Sequence, residues 1–397
     1  MPNLTKEIVI YGTSWCPDCK RAKQFFGDQR IPYTWVDVEH DAEAMTLVEA
    51  INDGKRSVPT IVCADGAILV EPSNAELAEK LGIVTKAKKD FYDVIIVGAG
   101  PAGLTAALYT ARERLDTLVI EKGAPGGQVA ATSLIENYPG FDEPITGEEF
   151  ARRLTNQAER FGGELLRAQA VVELRTNGQY REVVTGDGSS YAALAVLIAT
   201  GARYRRLGAP GESQLIGTNI HFCATCDGAF YKDKEVLVVG GGNSGFEEGL
   251  FLTNFAKHVT IVEYEPRVKA SGVLQEKVGS RKDMTVITNH AVQEFTVRDD
   301  KRLGSVKVMD RATGQVETWT PDGVFVFIGL EPNSSFVMPE IKRDRAGFLV
   351  TDRTLQTSVP GIFAAGDVRE GATAQAASAA GEGAAAALMI RQYIESL

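Results

Sequence analysis

The 397-residue chain is short of cysteine and histidine, with five and four respectively, and it contains no long uninterrupted apolar run. No stretch approaches the roughly 20 apolar residues that span a bilayer, so no membrane role is expected. The start, Met1-Pro2-Asn3-Leu4-Thr5-Lys6-Glu7, has no charged segment leading into an apolar one. A secretory signal is therefore not visible, and a cytoplasmic location is expected. Basic residues are outnumbered, 42 Lys and Arg against 52 Asp and Glu, for a formal charge of −10. Nucleic acid and anionic membranes require basic surfaces, so neither is expected as a partner. Four histidines leave few ligands for a mixed Cys/His zinc site, and no metal centre is expected.

What cysteine there is falls into a pattern. Cys16/Cys19 and Cys223/Cys226 are two Cys-x-x-Cys pairs, and Cys63 stands alone. In a reducing compartment such pairs signal redox chemistry or zinc. A zinc site drawing on both pairs is the alternative; the surroundings of each pair favour redox chemistry. Cys63 follows a buried-strand pattern and reads as a small apolar core residue.

The length predicts two to four domains. Residues 1–82 read as a compact α/β unit. Lys86-Ala87-Lys88-Lys89-Asp90 has no hydrophobic period, and residues 83–90 are expected to be a short charged linker that raises the local concentration of what it tethers. Beyond it lies an internal duplication. Asp93 to Gly103, running on to Glu121, and Glu235 to Gly245, running on to Glu263, superimpose without a gap at an offset of 142. Each is an apolar strand, Gly-x-Gly-x-x-Gly, a helix, a second strand and an acid. In that setting the first glycine permits a tight turn and the second lets a pyrophosphate approach the backbone. The third lets helix pack on strand, and the acid accepts from ribose hydroxyls. Two dinucleotide sites are expected, one around Gly98, Gly100, Pro101, Ala102, Gly103 and Glu121. The other is around Gly240, Gly242, Asn243, Ser244, Gly245 and Glu263.

Further motifs carry a family resemblance. Gly361-Ile362-Phe363-Ala364-Ala365-Gly366-Asp367 resembles the second flavin motif of two-dinucleotide flavoproteins, and Ala199-Thr200-Gly201-Ala202 resembles their crossing between domains. Together with Gly126-Gly127-Gln128, Glu136-Asn137-Tyr138-Pro139-Gly140 and Cys223-Ala224-Thr225-Cys226-Asp227, they make residues 91–397 resemble low-molecular-weight thioredoxin reductase. The resemblance implies that FAD fills the first site, held also by Gly127, Gln128, Asn137, Thr200, Gly201, Gly366, Asp367, Gln375 and Ala376. It implies NADH or NADPH at the second site, and a homodimer. Cys226 would lie nearer the flavin, Cys223 would exchange with substrate, and Asp227 would protonate the leaving thiolate. A plain turn carboxylate is the other reading of Asp227. The FAD-binding domain is expected as 91–203 plus 332–397 and the nicotinamide domain as 204–331. Hinges are expected near Arg203–Arg206 and Gly329–Asn333.

Two departures stand out. Where such reductases carry a His-Arg-Arg cluster for the 2′-phosphate of NADPH, this chain has Glu263-Tyr264-Glu265-Pro266-Arg267-Val268-Lys269. A carboxylate there suits a free 2′-hydroxyl, as in the flavoprotein subunit of alkyl hydroperoxide reductase, and favours NADH. Arg267 and Lys269 keep NADPH open. Thr373-Ala374-Gln375-Ala376 also lacks the aromatic and basic residues usual before the glutamine.

At the N-terminus, Trp15-Cys16-Pro17-Asp18-Cys19 with Val58-Pro59-Thr60 resembles glutaredoxin, and mycoredoxin-like proteins above all. The resemblance implies a thioredoxin fold, a cis-Pro59, Cys16 as an exposed low-pKa nucleophile and Cys19 as the resolving thiol. Glu71-Pro72-Ser73-Asn74 replaces the Gly-Gly-x-Asp turn of glutathione-using relatives, which argues against glutathione. The expected fold is thus α/β, a glutaredoxin-like domain before a two-dinucleotide-domain disulfide reductase. Electrons would pass from the nicotinamide to FAD, Cys223/Cys226, Cys16/Cys19 and a thioredoxin-like, glutaredoxin-like or peroxiredoxin disulfide. The alternatives are a peroxiredoxin-reducing flavoprotein, or a ferredoxin-fed reductase or redox sensor with a non-functional nucleotide site.

Overall fold

The computed structural model describes residues 7–132 and 134–397, apart from the side chains of Thr225 and Cys226. The N-terminal unit is built on the strand Val9–Gly12, which pairs in parallel with Thr34–Asp37 and antiparallel with Thr60–Val62. Ile68–Val70 completes that sheet beside Thr60–Val62. Its helices begin where side chains can satisfy the orphan amides of a first turn. The Cys16 sulfur caps Pro17–Asp28, with proline at the first helical position, where it costs no hydrogen bond. The Asp41 carboxylate caps Ala42–Ile51, and Ser73 with Glu76 forms a capping box on Asn74–Lys80. Ile10, Phe26, Ile61 and Leu77 make its core.

The segment expected as a linker is strapped to the next unit. Ile83 still belongs to the core of the N-terminal unit, but from there on the Val84 carbonyl accepts from Arg167 N–H at 2.9 Å, and the Lys88 N–H donates to the Glu164 carboxylate at 2.8 Å. Lys89 N–H donates to the Tyr92 hydroxyl at 3.1 Å, and its ammonium pairs with Asp116 at 2.7 Å. The stretch expected to be a short charged linker thus lies hydrogen-bonded against the second unit. Composition hid the fact that the backbone groups of this stretch find partners on a distant part of the chain.

The second unit has at its heart three adjacent parallel strands. Ser190–Ile198 lies between Phe91–Val97 and Ile362–Ala364, with Val196–Ile198 opposite Ile95–Val97 on one side and Ile362–Ala364 on the other. The run Val94–Val97 is apolar because both faces of the strand are covered. The C-terminal helix Ala376–Glu395 crosses Pro101–Arg112 at close range because small residues face it. A Cβ on Gly383 would overlap the Ala102 carbonyl, and Ala379, Ala386 and Ala387 are buried. That contact, from opposite ends of the sequence, brings the last segment back to the first fingerprint.

The third unit repeats the architecture. Glu235–Val239 lies between His258–Val262 and Gly323–Val326 in a parallel sheet that also contains Met284–Ile287 and Ile220–His221. An antiparallel meander, His290–Val297, Leu303–Asp310 and Val316–Trp319, packs beside it. The chain passes between the second and third units twice, through Ala202–Tyr204 and Leu330–Pro332. These two short strands pair antiparallel, and Glu331 bridges Arg203 at 2.8 Å and Arg205 at 3.4 Å. Among the described residues no helix is long and apolar enough to cross a membrane.

Candidate active site

In a parallel sheet, ligands gather beyond the carboxyl ends of neighbouring strands. Here three such ends deliver Gly98–Ala102, Ala199–Gly201 and Gly366–Asp367 to one edge, and a cavity of about 1390 Å³ opens over them. Drug-sized pockets occupy roughly 300–1,000 Å³, so this one has room for a dinucleotide. Its wall holds the expected flavin residues Gly98, Gly100, Pro101, Ala102, Glu121, Gly127, Gln128, Asn137, Thr200, Gly201, Gly366, Asp367, Gln375 and Ala376. Gly103 stands behind the wall, where a Cβ would overlap the Gly98 carbonyl.

The cavity fits FAD. Where Gly100 would carry a Cβ, nothing lies closer than the Gly127 Cα at 3.9 Å, so the start of Pro101–Arg112 is open to a pyrophosphate. Glu121 accepts from the Ala99 and Gly123 amides at 2.8 and 2.9 Å, which fixes its carboxylate where a ribose would pass. Asn137 donates to Gln375 at 3.2 Å, and Gln128 donates to the Ala202 carbonyl. Thr200 and Asn333 exchange two hydrogen bonds, at 2.7 and 2.9 Å. Burial, helped by the Glu382 carboxylate, pushes the Asp367 carboxyl up to about 6, so near neutral pH it is mostly a carboxylate that accepts from a hydroxyl. Glu382 itself accepts from Gly366 N–H at 2.7 Å and pairs with Arg369; sequence reasoning did not mark it.

Cys223 and Asp227 line the same cavity, and Cys223 is disulfide-bonded. The Cys226 backbone lies in the helical turn Ala224–Asp227; its side chain is outside the described residues. His221, buried, places Nδ1 3.3 Å from the Asp227 carboxylate and Nε2 2.8 Å from the Tyr231 hydroxyl. The sequence put His221 two residues before Cys223 but carried no sign that its ring faces Asp227. Tyr204 was also missed. It stacks on Phe222 with ring centres 5.1 Å apart, and its phenol is pushed up to about 12 by burial, then by Asp367, Glu248 and Asp227. One side chain thus feels both the flavin-motif carboxylate and the acid beside the cysteines.

The second fingerprint copies the first bond for bond. Glu263 accepts from Gly241 and Glu265 at 2.5 and 2.8 Å, the partners of Ala99 and Gly123 displaced by 142 residues. Gly98 and Gly240 have φ of +106° and +123°, a backbone region that side chains disfavour. Gly245 has no space for a Cβ, which would meet the Gly240 carbonyl, while beside Gly242 the space is open. Asn243 accepts from Ser271 N–H at 2.8 Å, and Ser244 begins the helix with it. Arg267 and Lys269 are exposed nearby. A third cation, Arg311, lies over the Tyr264 ring at 3.7 Å and donates to the Tyr264 carbonyl at 2.6 Å. It arrives from the meander, 47 residues on, which local reading could not foresee.

In the N-terminal unit, Cys16 and Cys19 are free thiols and the Val58–Pro59 bond is cis. Cys16 accepts from Cys19 N–H at 3.3 Å, and its sulfur lies 3.5 Å from the Val58 carbonyl. The expectation of an exposed Cys16 is corrected, since only 6% of its surface remains accessible. Capping turns the sulfur inward onto the helix, and exposure passes to Trp15. Cys19 is fully buried, and that burial pushes its thiol up to about 12. A thiol so hard to ionise suits a resolving role rather than first attack. Cys63 is buried too, and its thiol is raised by that burial. Among the described residues no group of three or more His, Cys, Asp and Glu could hold a metal ion.

Comparison with known proteins bears on this arrangement directly. Residues 92–383 match the pyridine nucleotide-disulphide oxidoreductase family and residues 8–68 match glutaredoxin. A thioredoxin reductase of Listeria innocua is 43% identical over 310 residues, covering 78% of this chain and 96% of its own. The chain belongs to the thioredoxin reductase family. Membership makes it a flavin-dependent disulfide oxidoreductase carrying a fused glutaredoxin-like domain, and it implies FAD, NAD(P)H and a thioredoxin-like disulfide substrate. The solved thioredoxin reductase of Streptococcus pyogenes is 42% identical, covers 78% of this chain and 99% of its own, and superimposes with a TM-score of 0.72. That of Lactococcus lactis, in its FR conformation, is 39% identical and covers 77% of this chain and 100% of its own. Its TM-score is 0.55. Against this family background the sensor and ferredoxin-fed alternatives are disfavoured.

Proposed function

We propose that this thioredoxin reductase homologue draws on NADH and reduces, through Cys223 and Cys226, its own Cys16/Cys19 pair and then an external disulfide protein. The observation that carries this reading is the placement of Cys223 and Asp227 in one cavity with the Gly98–Ala102 fingerprint. FAD, when bound, would accept a hydride equivalent from the nicotinamide and deliver an electron pair to the neighbouring disulfide. The chain's residues do the rest. Gly100 and the helix behind it receive the pyrophosphate, Glu121 takes ribose hydroxyls, and Asp367 orients the ribityl region. Asp227, steadied by His221, supplies a proton to the leaving sulfur. Cys223 attacks the incoming disulfide and Cys226 resolves the mixed disulfide.

A pair facing the flavin must turn to reach a protein. The paired strands Ala202–Tyr204 and Leu330–Pro332 are the natural hinge, because only two covalent connections pass there and the Arg203–Glu331–Arg205 bridges are exposed enough to re-form. The L. lactis structure matches less well than the S. pyogenes one at similar identity and coverage, which supports a family that places its domains in more than one way. The proposed division is 1–82, 83–90, 91–203, 204–331 and 332–397, and the two crossings support its boundaries near 203 and 331. A homodimer is part of the same reading by family likeness.

NADH is favoured because Glu263, buried and held by two amides, presents negative charge where a 2′-phosphate would lie. Anaerobic addition of each nucleotide, followed by flavin absorbance, tests it. NADH should bleach the flavin at least about 10-fold more efficiently than NADPH, the ratio expected for a like-charge contact of about 1.4 kcal/mol. Preference for NADPH would mean that Arg267, Lys269 or Arg311 reads the phosphate.

A further inference from the structure

The redox domain forms part of the wall of the flavin cavity. Where the helix Pro17–Asp28 ends, three consecutive residues grip the segment that follows Glu121. The Asp28 carbonyl accepts from Ala124 N–H at 2.9 Å, and Gln29, 3% exposed, donates to the Lys122 carbonyl at 3.2 Å. Arg30, in the left-handed region with φ +51°, donates to the Pro125 carbonyl at 3.2 Å and to the Gly127 carbonyl at 2.7 Å. The fit is close: a Cβ on Gly123 would stand 2.9 Å from the Asp28 carbonyl oxygen. From the other side, Arg167 donates to the Gln29 side chain at 3.4 Å, and Ala168 packs on the redox-domain core.

The gripped segment is the one that shapes the adenosine end of the cavity. It runs from Glu121, poised for the ribose, to Gly127, against which Gly100 packs where the pyrophosphate passes. Asp28 and Arg30 share the cavity wall with Gly100, Glu121 and Gly127. Arg30 is exposed toward that space, and the carboxylates acting on it are Glu121 and Glu148. A guanidinium has five N–H donors in a planar fork, and two carbonyls do not exhaust them.

We propose that Arg30 of the redox domain is an FAD-binding residue, its free guanidinium edge taking the diphosphate, so that the fused domain closes the adenosine end of the flavin cavity. This rests on FAD occupying that cavity. The proposal gives the fusion a role besides electron transfer: a reductase core that borrows a cation from its appended domain holds its cofactor through that domain's docking.

The test is FAD affinity of the full-length apoprotein, read by quenching of flavin fluorescence on titration, for wild type, Arg30→Ala, Arg30→Gln and the remote control Arg56→Ala. Glutamine keeps a donor for the carbonyls and removes the charge. Loss of a charge-assisted hydrogen bond should weaken binding about 10- to 100-fold in both Arg30 variants, and the gap should narrow as salt is raised. Arg56→Ala should bind as wild type does. Affinity within about twofold of wild type for Arg30→Ala overturns the proposal. So does an Arg30→Gln protein that binds normally, which would reduce Arg30 to a docking residue. A wild-type protein that takes up no FAD at all would instead remove the flavin reading beneath it.

Discussion

Replacing Cys223 with serine should lower disulfide-reducing turnover by about 1000-fold or more while leaving reduction of the bound flavin by the nicotinamide intact. The size follows from chemistry. Exchange at a disulfide needs a thiolate, and an alcohol at that position is neither ionised nor nucleophilic near neutral pH. The separation of the two readouts follows from architecture. Cys223 and Asp227 enter the cavity from the nicotinamide unit, beside Tyr204 and the Asp367 end. The fingerprints proposed to hold FAD and the nicotinamide stand on their own strand ends and backbone clamps. Steady-state turnover and anaerobic bleaching of the same variant check both halves. Loss of flavin reduction as well would show that Cys223 is needed to build the site rather than to transfer electrons.

The second large effect concerns the N-terminal pair. Cys16→Ser should lower reduction of an external disulfide protein about 100-fold or more, while a small aromatic disulfide that reacts directly at Cys223 is reduced at the wild-type rate. Cys16 caps the helix with its sulfur 3.5 Å from the Val58 carbonyl, and Cys19, the more deeply buried of the two, has its thiol pushed up to about 12. Cys19→Ser should accordingly trap Cys16 in a mixed disulfide with the acceptor, visible as an adduct by mass spectrometry. Equal loss with both acceptors would place Cys16 on the path before Cys223. No loss with either would make the domain a structural appendage. Docking makes this prediction sharper. The redox domain is fixed to the FAD unit through Asp28, Gln29, Arg30 and the strapped residues 84–89, so the nicotinamide unit, turning at its two-strand hinge, has to bring the pairs together.

How far the sequence speaks for itself depends on the range of the interaction. The two glycine fingerprints were legible because each is a local device, a strand, a tight turn and a helix within about 30 residues. Even the 142-residue offset reappears in the hydrogen bonds of Glu121 and Glu263. The Gly366-Asp367 motif was legible by resemblance, although its meeting with Gly98 depends on a sheet closed by Ile362–Ala364 and a helix packed through Gly383. What was not legible lay across distances that no period reports. Arg30 reaches the flavin segment 97 residues away, Arg311 reaches Tyr264, and His221 meets Asp227 only because the Ala224–Asp227 turn folds back on its strand. The straps on residues 84–89 escaped notice for a related reason. A charged stretch looks solvated until the partners of its backbone amides are known.

The central claim is that electrons entering at the nicotinamide site leave through Cys16 and Cys19. It is tested most directly by anaerobic reduction of the fully oxidised full-length protein with a limited excess of NADH, quenching with an alkylating reagent and mapping of the labelled cysteines. The account predicts labelling of all four pair cysteines, Cys16, Cys19, Cys223 and Cys226, in wild type, and of neither Cys16 nor Cys19 in Cys223→Ser. Labelling confined to Cys223 and Cys226 in wild type, or labelling of Cys16 and Cys19 that survives loss of Cys223, would contradict it.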